Sequence, residues 1–331
     1  MARSVDSATE TGARRLALVT EMPLSPAELA AAAEALPEFD IVCTTKRDDA
    51  LTARAEVIAG ALDAGSLRRA GALRWNHIWT AGAENAMASE LADRGVVLTC
   101  SVGNGAAPLA EHALMLMLML SRDVPRMMRA QADHRWEPFE HAELAGRTVG
   151  ILGLGNIGRA VAVRCRAFEM EVLAVRNRLG VGMPPCVDEM FGQEDLRRVL
   201  ARSDFVVVTA PLTDRTRGMV GAAELGAMRP SAFLVNVSRG EVVDEGALLR
   251  ALRDGAIAGA GLDAHAREPL PRDSPWWSLP NVVVTPHLGS LADGTRRRTV
   301  EIFLENLVRY GQGAPLENVV DPALGYPPPR E

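Results

Sequence analysis

Three apolar stretches of this 331-residue chain run straight into residues that can do chemistry. The first ends in Asn236-Val-Ser-Arg239-Gly240. The second ends in Gly261-Leu-Asp263-Ala-His-Ala-Arg-Glu268-Pro269, and the third in Thr285-Pro-His287-Leu-Gly289-Ser290. Taken singly, each has an ordinary explanation: a surface ion pair, a turn, a structural histidine at a strand end. Together they carry a guanidinium, carboxylates and an imidazole to the ends of three successive strands, where ligands sit in open α/β sheets. A guanidinium can grip a carboxylate with two parallel hydrogen bonds. An imidazole can exchange a proton near neutrality.

A fourth stretch indicates what these groups would work beside. Thr148-Val-Gly-Ile-Leu-Gly153-Leu-Gly155-Asn156-Ile157-Gly158-Arg159 reads as a buried strand entering G-x-G-x-x-G, with Ala160 to Val163 continuing as a helix. Gly153 permits a tight turn, Gly155 lets the backbone approach a pyrophosphate, and Gly158 lets the helix pack on the strand. The free N–H groups of the helix start, with Asn156 and Ile157 in its first turn, would face the phosphates. A carboxylate for the ribose 2′-hydroxyl of NAD is expected about 20 residues further on. The chain has Val175-Arg176-Asn177-Arg178 instead. Two guanidiniums suit a 2′-phosphate. The expected cofactor is therefore NADP(H), with NAD(H) as the alternative, and Arg176→Asp should swing preference toward NADH.

These groups need a scaffold. The length suggests two domains, since single cores rarely grow beyond about 250 residues. Hydrophobic residues make up 48% and charged residues 24%, with a net charge of −6, the profile of a soluble globular protein. The bases are arginines apart from Lys46 and cluster on no stretch, so neither nucleic acid nor an anionic membrane is an expected partner. Cys43, Cys100, Cys165 and Cys186 form no C-x-x-C and no metal-ligand spacing. Unpaired thiols in a reducing cytoplasm are expected, and no metal. Residues 1–13 carry no apolar core of signal-peptide length and read as a flexible tail. The run Ala113-Leu-Met-Leu-Met-Leu-Met-Leu120 is too short to cross a membrane. It is expected as a helix buried on all sides, between domains or at a subunit interface.

Strands alternating with helices imply parallel sheets. The first half reads as strands at Arg15–Thr20, Phe39–Thr44, Glu56–Ala59, His77–Thr80 and Val96–Thr99, with a helix from Ser25 and Pro26 in its first turn. The second reads as six strands: Thr148–Leu152, Glu171–Val175, Phe205–Thr209, Ala232–Val237, Ala258–Leu262 and Val282–Thr285. Helix Ala107–Ser121 links the halves. A last amphipathic helix, Gly294–Tyr310, returns the chain to the first domain. The expected fold is α/β, with two doubly wound parallel-sheet domains: a Rossmann dinucleotide domain, 121–299, inserted into a discontinuous flavodoxin-like substrate domain, 14–120 plus 300–331.

The ordered motifs Gly153-Leu-Gly-Asn-Ile-Gly158, Ala210-Pro211-Leu-Thr213 followed by Thr216, Asn236-Val237-Ser-Arg239-Gly240, Gly261-Leu-Asp263 with Glu268-Pro269, and Thr285-Pro-His287 resemble those of the D-isomer-specific 2-hydroxyacid dehydrogenases. The resemblance spans about residues 15–321. It implies NAD(P)-dependent interconversion of small 2-oxo and D-2-hydroxy acids in a cleft between the domains, by a homodimer built around the cofactor domains. The candidate catalytic set is Arg239, Glu268 and His287. His287 would exchange the proton with the substrate oxygen. Glu268 would hold the other ring nitrogen and stabilise the protonated ring. Arg239 would bind the substrate carboxylate and carbonyl and stabilise charge developing on oxygen. The resemblance also assigns Pro211, Thr216, Val237, Asp263 and Gly289 to the cofactor, Asp263 as partner of the nicotinamide carboxamide. Ala81 and Gly82, in the turn Trp79-Thr-Ala-Gly82-Ala83, join Arg239 and His287 at the substrate.

The chain departs from the pattern in places. His265 stands where the family commonly has an aromatic residue and is not expected to be catalytic. Leu291 and Ala292 replace a small residue and a threonine. Asn104 is either a substrate ligand or a helix cap, and Trp276-Trp277 either covers the cleft or packs. Glyoxylate and hydroxypyruvate are the expected substrates. No regulatory segment follows Glu331, against a phosphoglycerate role, and Glu268 stands where the formate branch has glutamine. The alternative of another class is a dinucleotide-sensing scaffold for protein partners, like the related co-repressors.

Overall fold

The computed structural model describes residues 14–46, 48–83, 86–177 and 182–328. They form two units, 14–102 with 297–328, and 103–296. The first unit contains β1 (Arg15–Thr20), α1 (Pro26–Ala35), β2 (Phe39–Thr44), α2 (Asp49–Arg54), β3 (Ala55–Ala59), α3 (Ala64–Arg69), β4 (Trp75–Ile78), α4 (Ala88–Asp93) and β5 (Val97–Cys100). The second opens with α5 (Ala106–Ser121), α6 (Val124–Ala132), β6 (Thr148–Leu152), α7 (Asn156–Ala167), β7 (Glu171–Val175) and β8 (Glu189–Phe191). It continues through α8 (Leu196–Arg202), β9 (Phe205–Val208), α9 (Ala222–Ala227), β10 (Phe233–Asn236), α10 (Glu245–Arg253), β11 (Gly259–Leu262) and β12 (Val282–Val284). In α11 (Asp293–Gly311) the chain passes back to the first unit. The expected flexible tail 1–13 lies outside the described residues.

All strand pairs within the two sheets are parallel. The first sheet has the order β2-β1-β3-β4-β5, the flavodoxin-like order. The second runs β12-β11-β10-β9-β6-β7-β8, which is the Rossmann order with one strand added beyond β11. Each sheet is covered on both faces, so its strands are predominantly apolar. Along β6, β7, β9 and β10 alternate residues feed opposite cores: Val149, Ile151, Val172 and Val207 one, Leu152, Leu173, Val206 and Leu234 the other.

The first unit is completed by α11. Its Phe303 and Leu307 pack with Trp75, Trp79, Ala32 of α1 and Leu36 just after it. The Tyr310 hydroxyl donates to Glu56 Oε1 over 2.6 Å, and Arg15 pairs with the same carboxylate. Ser25 caps α1 reciprocally with Glu28, and Pro26 stands in its first turn.

Three expectations need correction. The domain boundary lies at 102/103, not after 120, because α5 packs on α7 and on β10 to β12 of the second unit. The second sheet has seven strands, since β8 adds an edge beside β7. The strand expected at His77–Thr80 starts at Trp75. Asn76 and His77 lie inside it, with Asn76 Nδ2 donating to the carbonyls of Ile58 and Gly60.

His77 is wholly enclosed. Trp75 Nε1 donates to Thr99 Oγ1 over 2.8 Å, which directs the Thr99 proton to His77 Nδ1, also 2.8 Å away. His77 Nε2 then donates to Ser101 Oγ, which donates to the Ile78 carbonyl. The ring is therefore held neutral, and burial pulls its pKa down to about 3 from 6.5. The unfolded chain takes up this proton first. The stability is whole above pH 6.5 and drains at about 1.4 kcal/mol per pH unit below it, levelling near pH 3. Urea melts of the wild type and His77→Gln across this window should diverge in slope. Parallel slopes would mean the ring does not titrate on unfolding.

Among the described residues no helix is long and apolar enough to cross a membrane, no cluster could hold a metal ion, and none of the four cysteines is in a disulfide. Burial pushes the Cys165 thiol up to about 12.

Candidate active site

The glycine-rich turn follows β6, at the point where the sheet order reverses between β7 and β9. Gly153 has φ +106°, and a Cβ there would lie 2.6 Å from the backbone nitrogen of Ala210. A Cβ on Gly158 would lie 2.1 Å from the Gly153 carbonyl oxygen. Both glycines are thus imposed by backbone-to-backbone contact. Gly155 differs: a Cβ there would meet nothing within 4 Å. It stands at the N-cap of α7, and no side chain caps the helix. Open space over a glycine, facing the uncapped N–H groups of a twelve-residue helix that opens with Asn156 and Ile157, fits a pyrophosphate. Thr209 braces the turn, its hydroxyl donating to the Gly153 carbonyl over 2.6 Å. Sequence reasoning missed this residue, whose only signal is its place at the end of β9.

Arg176 follows β7 and is only 7% exposed, so its guanidinium lies within the protein and not on an open rim. Asn177 is exposed and Arg178 lies outside the described residues. In the loop after β9, the Thr216 hydroxyl donates to the Pro211 carbonyl over 2.6 Å and accepts from the Thr213 amide over 2.8 Å. Thr216 therefore shapes this loop around Pro211. Val237 is buried in the core at the end of β10.

The Arg239 turn is built by its neighbours. Asn236 Nδ2 donates to the Arg239 carbonyl, Asn236 Oδ1 accepts from the Ser238 amide, and Ser238 Oγ donates to the Ala210 carbonyl. A Cβ on Gly240 would lie 2.1 Å from the carbonyl carbon of His265 and the amide nitrogen of Ala266. The turn carrying Arg239 thus presses against the segment that carries Glu268.

Glu268 Oε1 accepts from the His265 amide over 2.9 Å, and Oε2 lies 2.7 Å from His287 Nδ1. The carboxylate fixes the ring, with Nδ1 donating and Nε2 without a hydrogen bond among the described residues. Both side chains are little more than a third exposed, so the pair is open to a ligand. The Glu268–Pro269 peptide is cis.

Asp263, at the end of β11, is 1% exposed. Its Oδ1 accepts from the Thr285 hydroxyl (2.7 Å) and the Leu288 amide (3.0 Å), and lies 3.3 Å from His112 Nε2. Oδ2 accepts from the Gly289 amide over 2.9 Å. Burial raises the pKa of this carboxyl, but the hydrogen bonds outweigh it and hold the group well below the usual carboxylate range. Asp263 therefore clamps the two residues after His287, which itself adopts φ +52°. Gly289 is required by this contact: a Cβ would lie 2.8 Å from Asp263 Oδ2 and 2.9 Å from Leu109.

Arg239, Glu268, His287 and Asp263 all lie in the second unit. Ala81 and Gly82 lie in the first, in the turn after β4, where the Thr80 hydroxyl donates to the Gly82 carbonyl. Asn104 is buried, and α5 begins after Gly105, so Asn104 is not its cap. Trp276 packs in a core, while Trp277 is exposed with its Nε1 donating to the Pro271 carbonyl.

A family model described as D-isomer specific 2-hydroxyacid dehydrogenase, NAD binding domain, matches residues 114–289. A glyoxylate reductase from Korarchaeum cryptofilum is 35% identical over 303 residues, covering 87% of this chain and 87% of that protein. Among solved structures, a D-isomer specific 2-hydroxyacid dehydrogenase from Xanthobacter autotrophicus, in complex with NADPH and MES, superposes with a TM-score of 0.79 at 33% identity, covering 94% of this chain and 99% of that one. An NADPH-dependent glyoxylate/hydroxypyruvate reductase from Sinorhizobium meliloti, in complex with NADP and malonate, gives 0.74 at 29%, covering 96% and 99%.

Proposed function

This chain belongs to the D-isomer specific 2-hydroxyacid dehydrogenase family and is an NAD(P)-dependent oxidoreductase; within that family we propose that it reduces glyoxylate and hydroxypyruvate and prefers NADPH. The observation that carries the reading is the 2.7 Å contact between His287 Nδ1 and Glu268 Oε2. In the protonated ring it leaves Nε2 as the proton donor.

The turn from Gly153 to Gly158 would hold the pyrophosphate. Among the described residues Asp263 Oδ2 accepts from one amide, that of Gly289, so a lone pair remains for the carboxamide. Pro211, Thr216, Val237 and Gly289 line the same carboxyl edge of the sheet through their backbone. The reduced nicotinamide, when bound, supplies the hydride for the 2-oxo carbon. Arg239 binds the substrate carboxylate and orients the carbonyl. His287 gives its Nε2 proton to the oxygen, and Glu268 holds the ring in place as the proton leaves.

The test is decay of reduced-nicotinamide absorbance, with glyoxylate, hydroxypyruvate and pyruvate against NADPH and NADH. Turnover faster with NADPH is expected. Silence across the panel, with cofactor binding intact, would favour a sensing scaffold. In this reading Asn177 and Arg178, and not the buried Arg176, carry the 2′-phosphate preference. A lost charge-assisted hydrogen bond is worth about 1.5–3 kcal/mol. Arg178→Ala should therefore lower the NADPH/NADH ratio of kcat/KM about 10- to 100-fold, and an unmoved ratio would place the preference elsewhere.

The proposed assembly is a homodimer through the second unit, which leaves Trp136 97% exposed together with Met115, Met128 and Val163. A single-chain mass by light scattering would remove it. With four cysteines and no disulfide, a reducing cytoplasm is the proposed compartment.

A further inference from the structure

Two buried histidines outside the His287–Glu268 pair close on Thr285, two residues before His287. From α5, His112 Nε2 lies 2.9 Å from the Thr285 hydroxyl and 3.3 Å from Asp263 Oδ1. From the segment after β11, His265 Nε2 lies 3.3 Å from the Thr285 carbonyl oxygen. The Thr285 amide donates to the Leu262 carbonyl over 2.9 Å. Every polar atom of Thr285 is thus committed.

The proton positions follow. The Thr285 hydroxyl has one proton, and the only group beside it that cannot donate is the Asp263 carboxylate. That proton goes to Asp263, so His112 Nε2 must itself be the donor, to the hydroxyl and to the carboxylate. His112 thereby anchors the group that clamps the Leu288 and Gly289 amides. Contact reinforces the anchor. A Cβ on Gly289 would lie 2.9 Å from Leu109 and 3.3 Å from His112, and one on Gly105 would lie 3.1 Å from Ser290. The first turns of α5 are the floor on which the His287 loop rests.

This loop needs a floor. His287 has φ +52°, a backbone region that a residue with a Cβ holds only when its surroundings impose it. Thr285 is tied on one side of it, and Leu288 and Gly289 on the other.

We propose that His112 is a positioning residue: acting through Thr285 and Asp263, it holds the backbone on both sides of His287, so that Nδ1 meets Glu268 and Nε2 stays directed outward. The proposal rests on the reading of His287 as proton donor. Leucine at 112 keeps bulk and loses the donor, whereas glutamine carries an N–H near the place of Nε2.

The experiment compares His112→Leu with His112→Gln in the full chain. Steady-state kinetics are measured alongside NADPH binding and spectra of 15N-histidine-labelled protein, in which His287→Ala assigns the His287 ring. His112→Leu should lower kcat about 10- to 100-fold, the scale of a misplaced reacting group. NADPH affinity should hold, and the fixed-tautomer signature of His287 should be lost. His112→Gln should restore most of both. Equal losses in the two variants would reduce His112 to packing, and a His112→Leu enzyme with unchanged kcat and unchanged His287 spectrum would overturn the proposal. If His112→Leu does not fold, Thr285→Val against Thr285→Ser asks the same question of the shared hydroxyl, with the serine variant expected to stay near wild type. The spectra need no substrate. A wild type that turns over none of the oxo acids would therefore sink the reductase reading, while the His287 signature still decides the role of His112.

Discussion

Replacing His287 with alanine is expected to lower kcat for glyoxylate reduction by about 10²–10⁴-fold, the range supplied by a positioned general acid, while the affinity for NADPH stays within about twofold of wild type, since no cofactor-holding role is given to the ring. The ring is anchored at one end, Nδ1 to Glu268 Oε2 at 2.7 Å, and its other nitrogen has no hydrogen bond among the described residues. Alanine removes the proton source without opening a core cavity, because the side chain is 38% exposed. Melting temperature should therefore hardly move. Single-turnover kinetics at saturating cofactor separate the chemical step from binding. A variant retaining a tenth or more of the wild-type rate would mean that the proton comes from elsewhere, as from a bound water.

The second large effect belongs to Arg239. Arg239→Ala should cost about 10²–10³ in kcat/KM for the oxo acid, the worth of a preorganised donor aimed at developing charge. Arg239→Lys should recover only part of it, because an ammonium keeps the charge but lacks the planar fork that grips a carboxylate. The turn should survive either change. Asn236 and Ser238 hold it through the Arg239 backbone and through Ala210, and Gly240 seats it against His265. Full activity in Arg239→Ala would put the substrate carboxylate on another group. Cofactor affinity measured in parallel should stay level, which separates a lost substrate contact from a collapsed loop.

Strands β1, β2, β6 and β7 stand where the apolar runs put them, because a sheet covered on both faces needs predominantly apolar strands. That demand is written in adjacent positions. β8 escaped notice: it is a three-residue edge strand, Glu189–Phe191, with no periodicity to read. The start of β4 escaped for the opposite reason. Asn76 is polar and stands just before the run that reads as the strand, yet the carbonyls of Ile58 and Gly60 satisfy it inside the core. α5 was placed in the wrong unit because an all-round apolar helix announces that it will be buried without saying against what.

The same division runs through the candidate site. The glycines of the turn, the arginine after β10, the glutamate after β11 and the histidine after β12 were legible because each is a local device: a tight turn, a strand end, a residue type with one evident chemistry. The sequence by itself determined which groups reach the carboxyl edge of the sheet. Only the tertiary structure decided that the Asp263 carboxylate serves first as the clamp of the His287 loop, that a histidine 173 residues before Thr285 braces it, and that Arg176 turns inward. Those outcomes depend on which donor meets which acceptor once helices and strands have packed. A hydrogen bond between distant segments leaves no periodic trace in either of them.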